Sequence, residues 1–448
     1  MLLLWSFEPM SLLAIKCSKF NVMISQLLFK NTVLMSVLIM AACGNSAKGL
    51  PEEQTETKKV DKAELVKAGP IVTGAENHSA YLPLLANKNV GVLTNQTGIL
   101  TIESEKTVVV GDIKEDRRIF TKVSIVDFLL EKKVKVKKIF APEHGFRGTA
   151  DAGELIVDGK DTQTNLPIIS LYGDNKKPSK DQLQGLDVIV FDLQDVGARF
   201  YTYISSLHYL MEACADNNIK VIVLDRPNPN GDLIDGPILE KEHTSFVGMH
   251  PIPVLHGMTI GEYAKMINGQ KWLKNGIQCN LTVIPCLNYT KKMLYSLPVK
   301  PSPNLPNDQA VNLYASLCLF EGTNVSVGRG TTKQFQVYGS PFLPKKGYTF
   351  TPQPNEGAKT PPYNGQICYG EDLSQHPRVK QLELKWLISA YANTADKSKF
   401  FSKFITKLAG TTKLQQQIEA GETEQEIRKT WEGGIASFKN IRKLYEMY

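Results

Sequence analysis

The sequence predicts an α/β protein: a mainly parallel sheet with helices on both faces, followed by a second half that mixes strand and helix. Three observations predict it. Apolar runs of strand length occupy residues 90–94, 136–141, 168–172, 188–193 and 221–225, and they are continuous rather than alternating, as strands covered on both faces are. Helical patterns separate several of them, which is the signature of parallel crossovers. Each run also breaks off in polar residues, as strands do when their C-terminal ends share one ligand-binding edge.

The elements follow in order. From Met23 the chain reads MISQLLFKNTVLMSVLIMAACGN. Lys30 precedes an apolar stretch that closes on Ala41, Ala42 and Cys43, so residues 1–43 read as a lipoprotein signal peptide ending at a lipidated Cys43. Either Met1 or Met23 can be its start. Met40 stands at the third position before Cys43, where Leu is more usual. Residues 44–70, rich in Lys, Glu, Thr and Gly, predict a flexible tether. The expected address is the cell envelope, lipid-anchored and facing the periplasm. Gly44 carries no inner-membrane retention signal, which favours the outer membrane.

A Rossmann-like catalytic domain is expected over 71–279, with helices at 124–132 and 201–217. In the second, Ile204, Leu207, His208 and Met211 fall on one face at helical spacing. A Pro- and Gly-rich segment at 227–280 carries a short helix near 260–268. LTVIPC, from Leu281, is read as the strand that opens the C-terminal domain, 280–448, which closes the cleft. A helix follows at 308–320, and helices resume from about Gln381. Thr423 and Glu426 make a capping box for one of them.

Composition narrows the function. Charged residues make up 22% and hydrophobic ones 42%, an ordinary globular balance. The net charge is +7, but its positives are scattered among acids, so no nucleic-acid partner is expected. Cys214, Cys279, Cys286, Cys318 and Cys368 are odd in number and form no C-x-x-C pair, so neither a structural zinc site nor a disulfide framework is suggested; Cys279 and Cys286 could pair across a strand. GVLTNQTG lacks G-x-G-x-x-G, and FEGTNVSVGRGTT at 320–332 lacks the P-loop lysine. No G-x-S-x-G elbow is present. No cofactor is therefore expected.

The strand ends bring Asn95 and Gln96, then Glu143 and His144, then Tyr172, to one rim. Asp192, Gln194 and Asp195, then Asp225, Arg226 and Asn228, complete it. Glu143 ends an apolar strand in IFAPEHGFRGTADAGE, where partial desolvation would keep a proton available, so it is the general-acid candidate. Asp192 or Asp195 would supply a second carboxylate, the minimum for glycoside hydrolysis being two. Asp195 could equally complement the dipole of the helix that follows. Arg147, Arg199, Tyr201 and Tyr203 offer guanidinium grips and aromatic platforms, and a glycine-rich loop brings Glu321, Asn324 and Arg329. His144 with Glu143, Asp151, Asp192 and Asp195 could alternatively hold a divalent cation.

Taken together, VGVLTNQTG, FAPEHGFRGTADAGE, DVIVFDLQDVGARFYTY, VIVLDRPNPNG, PVLHGMTIGEYA, PSPNLP and LFEGTNVSVGRGTTKQFQVYGSP resemble a bacterial family of exo-β-N-acetylmuramidases, formerly a domain of unknown function. The resemblance implies a Rossmann-like domain joined to a smaller α+β C-terminal domain, with the active cleft between them. It implies release of N-acetylmuramic acid from non-reducing ends of peptidoglycan fragments, with Glu143 on the P-E-H-G motif. Substrate-binding residues are expected at Asn95, His144, Arg147, Tyr172, Arg199, Tyr201, Asp225, Arg226, Glu321 and Arg329. Arg147, Arg199 or Arg329 would suit the lactyl carboxylate, and the acetamido group permits substrate assistance. The chain departs from the family pattern at 97–127, where IESEKTVVVGDIKEDRRIFTK intervenes. A non-catalytic muropeptide-binding lipoprotein and a metal-dependent envelope hydrolase stay open as alternatives.

Overall fold

The computed structural model describes residues 69–110, 113–146 and 158–448. The signal, Cys43, nearly all of the tether, Arg147, Asp151 and Glu154 lie outside the described residues. In chain order the strands are β1 (Asn89–Thr94), β2 (Ile99–Val110), β3 (Ile113–Ser124), β4 (Lys135–Ala141), β5 (Gly159–Lys160), β6 (Pro167–Ser170) and β7 (Val188–Asp192). There follow β8 (Lys220–Leu224), β9 (Ile234–Asp235), β10 (Leu255–His256), β11 (Leu281–Ile284), β12 (Val337–Ser340), β13 (Tyr348–Phe350) and β14 (Cys368–Asp372).

Seven of these make the main sheet, in the order β11-β8-β7-β1-β4-β6-β5. Every neighbouring pair is parallel except β5 with β6. This is the doubly wound order, with its reversal between β1 and β7. Period-two alternation decides which core each side chain enters. Val90, Val92, Val188, Val190, Ile222 and Leu224 face the helix Ile125–Glu131. Leu93, Ile189, Phe191, Val221 and Val223 face the helices Tyr203–Asp216 and Ile260–Gly269.

Side-chain caps set several helix starts. Ser124 accepts from Val126 N, Thr259 and Glu262 form a capping box, Asn307 accepts from Ala310 N, and Thr423 with Glu426 forms the expected box. The helix Asp308–Leu317 tightens into a 3-10 turn at Cys318–Gly322, where a single helix to 320 was expected.

One expectation changes. LTVIPC does not open a separate layer: β11 pairs parallel with β8 as an edge of the main sheet, so the first architecture runs past residue 280. The unusual stretch after Thr97 is an antiparallel hairpin, β2–β3, inserted between β1 and the helix Ile125–Glu131. The second half adds the small antiparallel sheet β12-β14-β13 and a run of helices from Lys385 to Arg442. One hydrophobic cluster joins Phe191 and Leu207 to Leu313, Phe320 and Leu408, so both halves share a core. Cys214, Cys279, Cys286, Cys318 and Cys368 are all buried and free.

Candidate active site

The apolar β4 ends at Ala141, and a tight turn then exposes Glu143. Gly145 N donates to Pro142 O at 3.1 Å, and both His144 (φ 74°) and Gly145 (φ 75°) are left-handed. Glycine accepts that backbone freely, whereas histidine adopts it at a cost. The outcome is a half-buried Glu143 whose carboxylate is held from two other segments. Tyr172, just past β6, donates to Oε1 at 3.0 Å, and Thr202, at the start of the helix Tyr203–Asp216, donates to Oε2 at 2.7 Å. Two hydroxyls on separate oxygens fix the plane of the carboxyl group.

These residues border a cavity of about 250 Å³ that His144, Tyr201 and Tyr203 also line. Its aromatic wall interlocks edge to face: Tyr201 with Tyr203 at 4.8 Å, Tyr201 with Tyr314 at 5.9 Å, and Tyr314 with Phe335 at 5.0 Å. Burial pushes the Tyr201 and Tyr203 phenols well above their ordinary value, so both stay neutral. Tyr201 donates to Pro301 O at 2.8 Å. Asn95 lies behind this wall, its Nδ2 donating to Tyr203 Oη and its Oδ1 accepting from Thr97 N and Oγ1. Asn95 therefore positions Tyr203 and does not line the cavity.

The structure disperses the remaining rim. Asp192 and Arg226 form a fully buried bidentate pair at 2.6 and 2.9 Å, and Arg226 also donates to Ile99 O. Burial alone would lower the Arg226 guanidinium, but the Asp192 carboxylate reverses this and holds it above its ordinary value. Asp225 accepts from Thr259, Gly261 N and Tyr448; it anchors the start of the helix Ile260–Gly269. Asp195 accepts from Gly197 N and stands 3.6 Å from His256, buried and outside the cavity lining. The carboxylates expected to partner Glu143 are therefore turned into the fold: Asp192 is held by Arg226 from the neighbouring strand end, and Asp195 by Gly197 N two residues on.

Arg199 is corrected most sharply. It is 0% exposed and donates to four carbonyls, those of Pro237, Ile252, Leu408 and Ala409, at 2.7–2.9 Å. It is a staple between loops, with no face toward the cavity.

Glu321 and Arg329 do reach the cavity. They pair through Arg329 Nε at 2.6 Å, with the guanidinium over the Phe335 ring at 5.1 Å. Glu321 is thus the second carboxylate of the chamber among the described residues. Sequence reasoning missed Thr202, Ser302 and Asn304. All three lie inside FYTY and PSPNLP, motifs whose composition looks like turn chemistry. Asn304 is buried, donates to Gly357 O, and has an Oδ1 with no partner among the described residues. Among the described residues no group of three or more His, Cys, Asp or Glu is placed to hold a metal ion, and no helix is long and apolar enough to cross a membrane.

Comparison with known proteins was made against this geometry. A family model described as exo-β-N-acetylmuramidase NamZ, N-terminal, matches residues 90–309, and its C-terminal counterpart matches 312–448. A peptidoglycan β-N-acetylmuramidase NamZ of Bacillus subtilis (strain 168) is 35% identical, covering 92% of this chain and 97% of its own. Two crystal structures of DUF1343 family proteins from Bacteroides fragilis NCTC 9343 are similar. One has 43% identity and a TM-score of 0.75, covering 85% of this chain and 99% of its own. The other has 27% identity and a TM-score of 0.66, with 84% and 99% covered.

Proposed function

From the premise that this chain belongs to the exo-β-N-acetylmuramidase NamZ family and is a glycoside hydrolase, we propose that Glu143 is the general acid that frees N-acetylmuramic acid from non-reducing ends of peptidoglycan fragments. The observation that carries this reading is Glu143 itself, oriented by Tyr172 and Thr202 at the wall of an aromatic-lined chamber. At about 250 Å³ the chamber is smaller than the roughly 300–1,000 Å³ of sites that take drug-sized ligands. Such a space suits one terminal sugar.

In this mechanism Glu143 gives its proton to the glycosidic oxygen as the C1–O bond breaks. Glu321 is engaged by Arg329, and we assign the nucleophile's role to the sugar's own acetamido oxygen. Water then opens the intermediate with Glu143 as base. We further propose that Cys43 carries a lipid and holds the enzyme on the outer membrane, facing the periplasm. Loss of the chain from the membrane fraction in Cys43→Ser checks that address.

The test compares a chromogenic β-N-acetylmuramide, its N-acetylglucosaminide analogue and the natural muramyl-glucosamine disaccharide. Muramides alone should turn over. Glu143→Gln should cost about 10²–10⁴-fold on the disaccharide and less on the chromogenic substrate, whose leaving group needs little protonation. Equal losses on both would remove Glu143 from the acid role. Binding of muropeptides with no turnover would favour a binding protein.

A further inference from the structure

We infer that a second cavity, beside the catalytic chamber, holds the peptide carried on the lactyl group of the bound muramic acid. The inference rests on the muramidase reading of the first chamber. The second cavity measures about 430 Å³ and shares Glu321, Arg329 and Phe404 with the first. Those three side chains are a common partition. Glu143 lines the first cavity and not the second.

That arrangement sorts the substituents of the sugar. The leaving group must lie beside Glu143, because the acid has to reach the glycosidic oxygen. Anything entering the second cavity must leave the sugar at another position and pass Arg329. Of the substituents of N-acetylmuramic acid away from the glycosidic bond, the acetamido group ends in a methyl, whereas the lactyl ether ends in a carboxyl group to which a peptide is attached. Arg329 spends its Nε on Glu321, and among the described residues its two Nη groups make no hydrogen bond. They are suited to a lactyl carboxylate, or to the amide carbonyl that replaces it when a peptide follows.

The lining beyond Arg329 agrees. Val325, Ala358 and Pro361 present small apolar surface, Thr323 and Ser326 add hydroxyls, and among the described residues the shared Glu321 and Arg329 are the charged groups of the lining. Short side chains and amide groups match this wall better than a second sugar, which needs a denser set of polar partners. The wall is also built tightly. Gly330 is left-handed, and a Cβ there would fall 2.6 Å from Pro361 and from Gln353 O, so the loop around Pro361 closes directly on the loop that carries Arg329.

Calorimetric titration of the full chain with N-acetylmuramic acid and with muramyl dipeptide tests the assignment, in wild type and in Thr360→Trp. Thr360 is an exposed lining residue, so an indole there obstructs the second cavity without entering the core. Muramyl dipeptide should bind about tenfold tighter than the free acid, and Thr360→Trp should erase that margin while leaving the free acid within about twofold. Equal affinities in wild type, equal weakening of both ligands by Thr360→Trp, or binding of neither ligand overturns the assignment. A dipeptide preference that Thr360→Trp removes, in a protein that hydrolyses no muramide, upholds the cavity and defeats the hydrolase reading instead.

Discussion

A carboxyl group that must meet one oxygen of a substrate works only if its plane is held, and two hydroxyls hold Glu143. Tyr172→Phe removes one of them and leaves packing intact. Steady-state kinetics on the disaccharide should show kcat reduced about ten- to a hundredfold with KM little changed, since a hydrogen bond to a charged group contributes about 1.5–3 kcal/mol. Arg199 makes the opposite case. Arg199→Met strands four buried carbonyls and should lower unfolding stability by roughly 3 kcal/mol or more, read from denaturant midpoints. Glu143, His144, Tyr172 and Tyr201 were legible in the sequence because each follows closely on a buried strand or turn at the sheet edge. Arg199 was not, because its four acceptors come from segments up to 210 residues away. Nothing local distinguishes an arginine that grips a ligand from one that grips loops.

Among elements, the helices Tyr203–Asp216 and Ile260–Gly269 meet through polar groups in the core. His250 Nε2 lies 3.0 Å from His208 Nδ1, and His250 Nδ1 lies 2.8 Å from Tyr263 Oη. Burial pushes both imidazoles below their ordinary 6.5. The unfolded chain therefore binds protons that the native state refuses, and stability is lost as pH falls below about 6.5. Asp225, which burial raises from 3.8 to about 6, works the other way: its native state holds a proton longer, so acidification between those values adds stability. The histidine contribution is cleanest above pH 6, where the melting midpoint should drop with acid and His250→Gln should flatten the slope. The helix caps were legible as Ser, Thr or Asn ahead of helical periodicity. The sheet membership of β11 was not, because an apolar run predicts a strand without naming its neighbour.

Across the whole molecule, the last residue returns to the first half. Tyr448 Oη donates to Asp225 at 2.6 Å and accepts from Cys286 N at 2.8 Å. Tyr448→Phe should destabilise the entire cooperative unit by about 1–3 kcal/mol, with the melting transition still single. A mainly parallel sheet covered on both faces was anticipated because unbroken apolar strands alternating with helices admit few other arrangements; the order of its strands was not. The closure of the chamber by Ser302, Asn304, Glu321 and Arg329 depends on how the second half packs, which no periodicity encodes. That packing has a consequence for how the wall is consumed. With one continuous core beneath both halves, we read the chamber as a socket and not a jaw. On the proposed exo-muramidase reading polymer enters as termini, so throughput on intact sacculi should follow the number of chain ends and not the mass of glycan, and every cut made elsewhere in the wall creates a new place to begin.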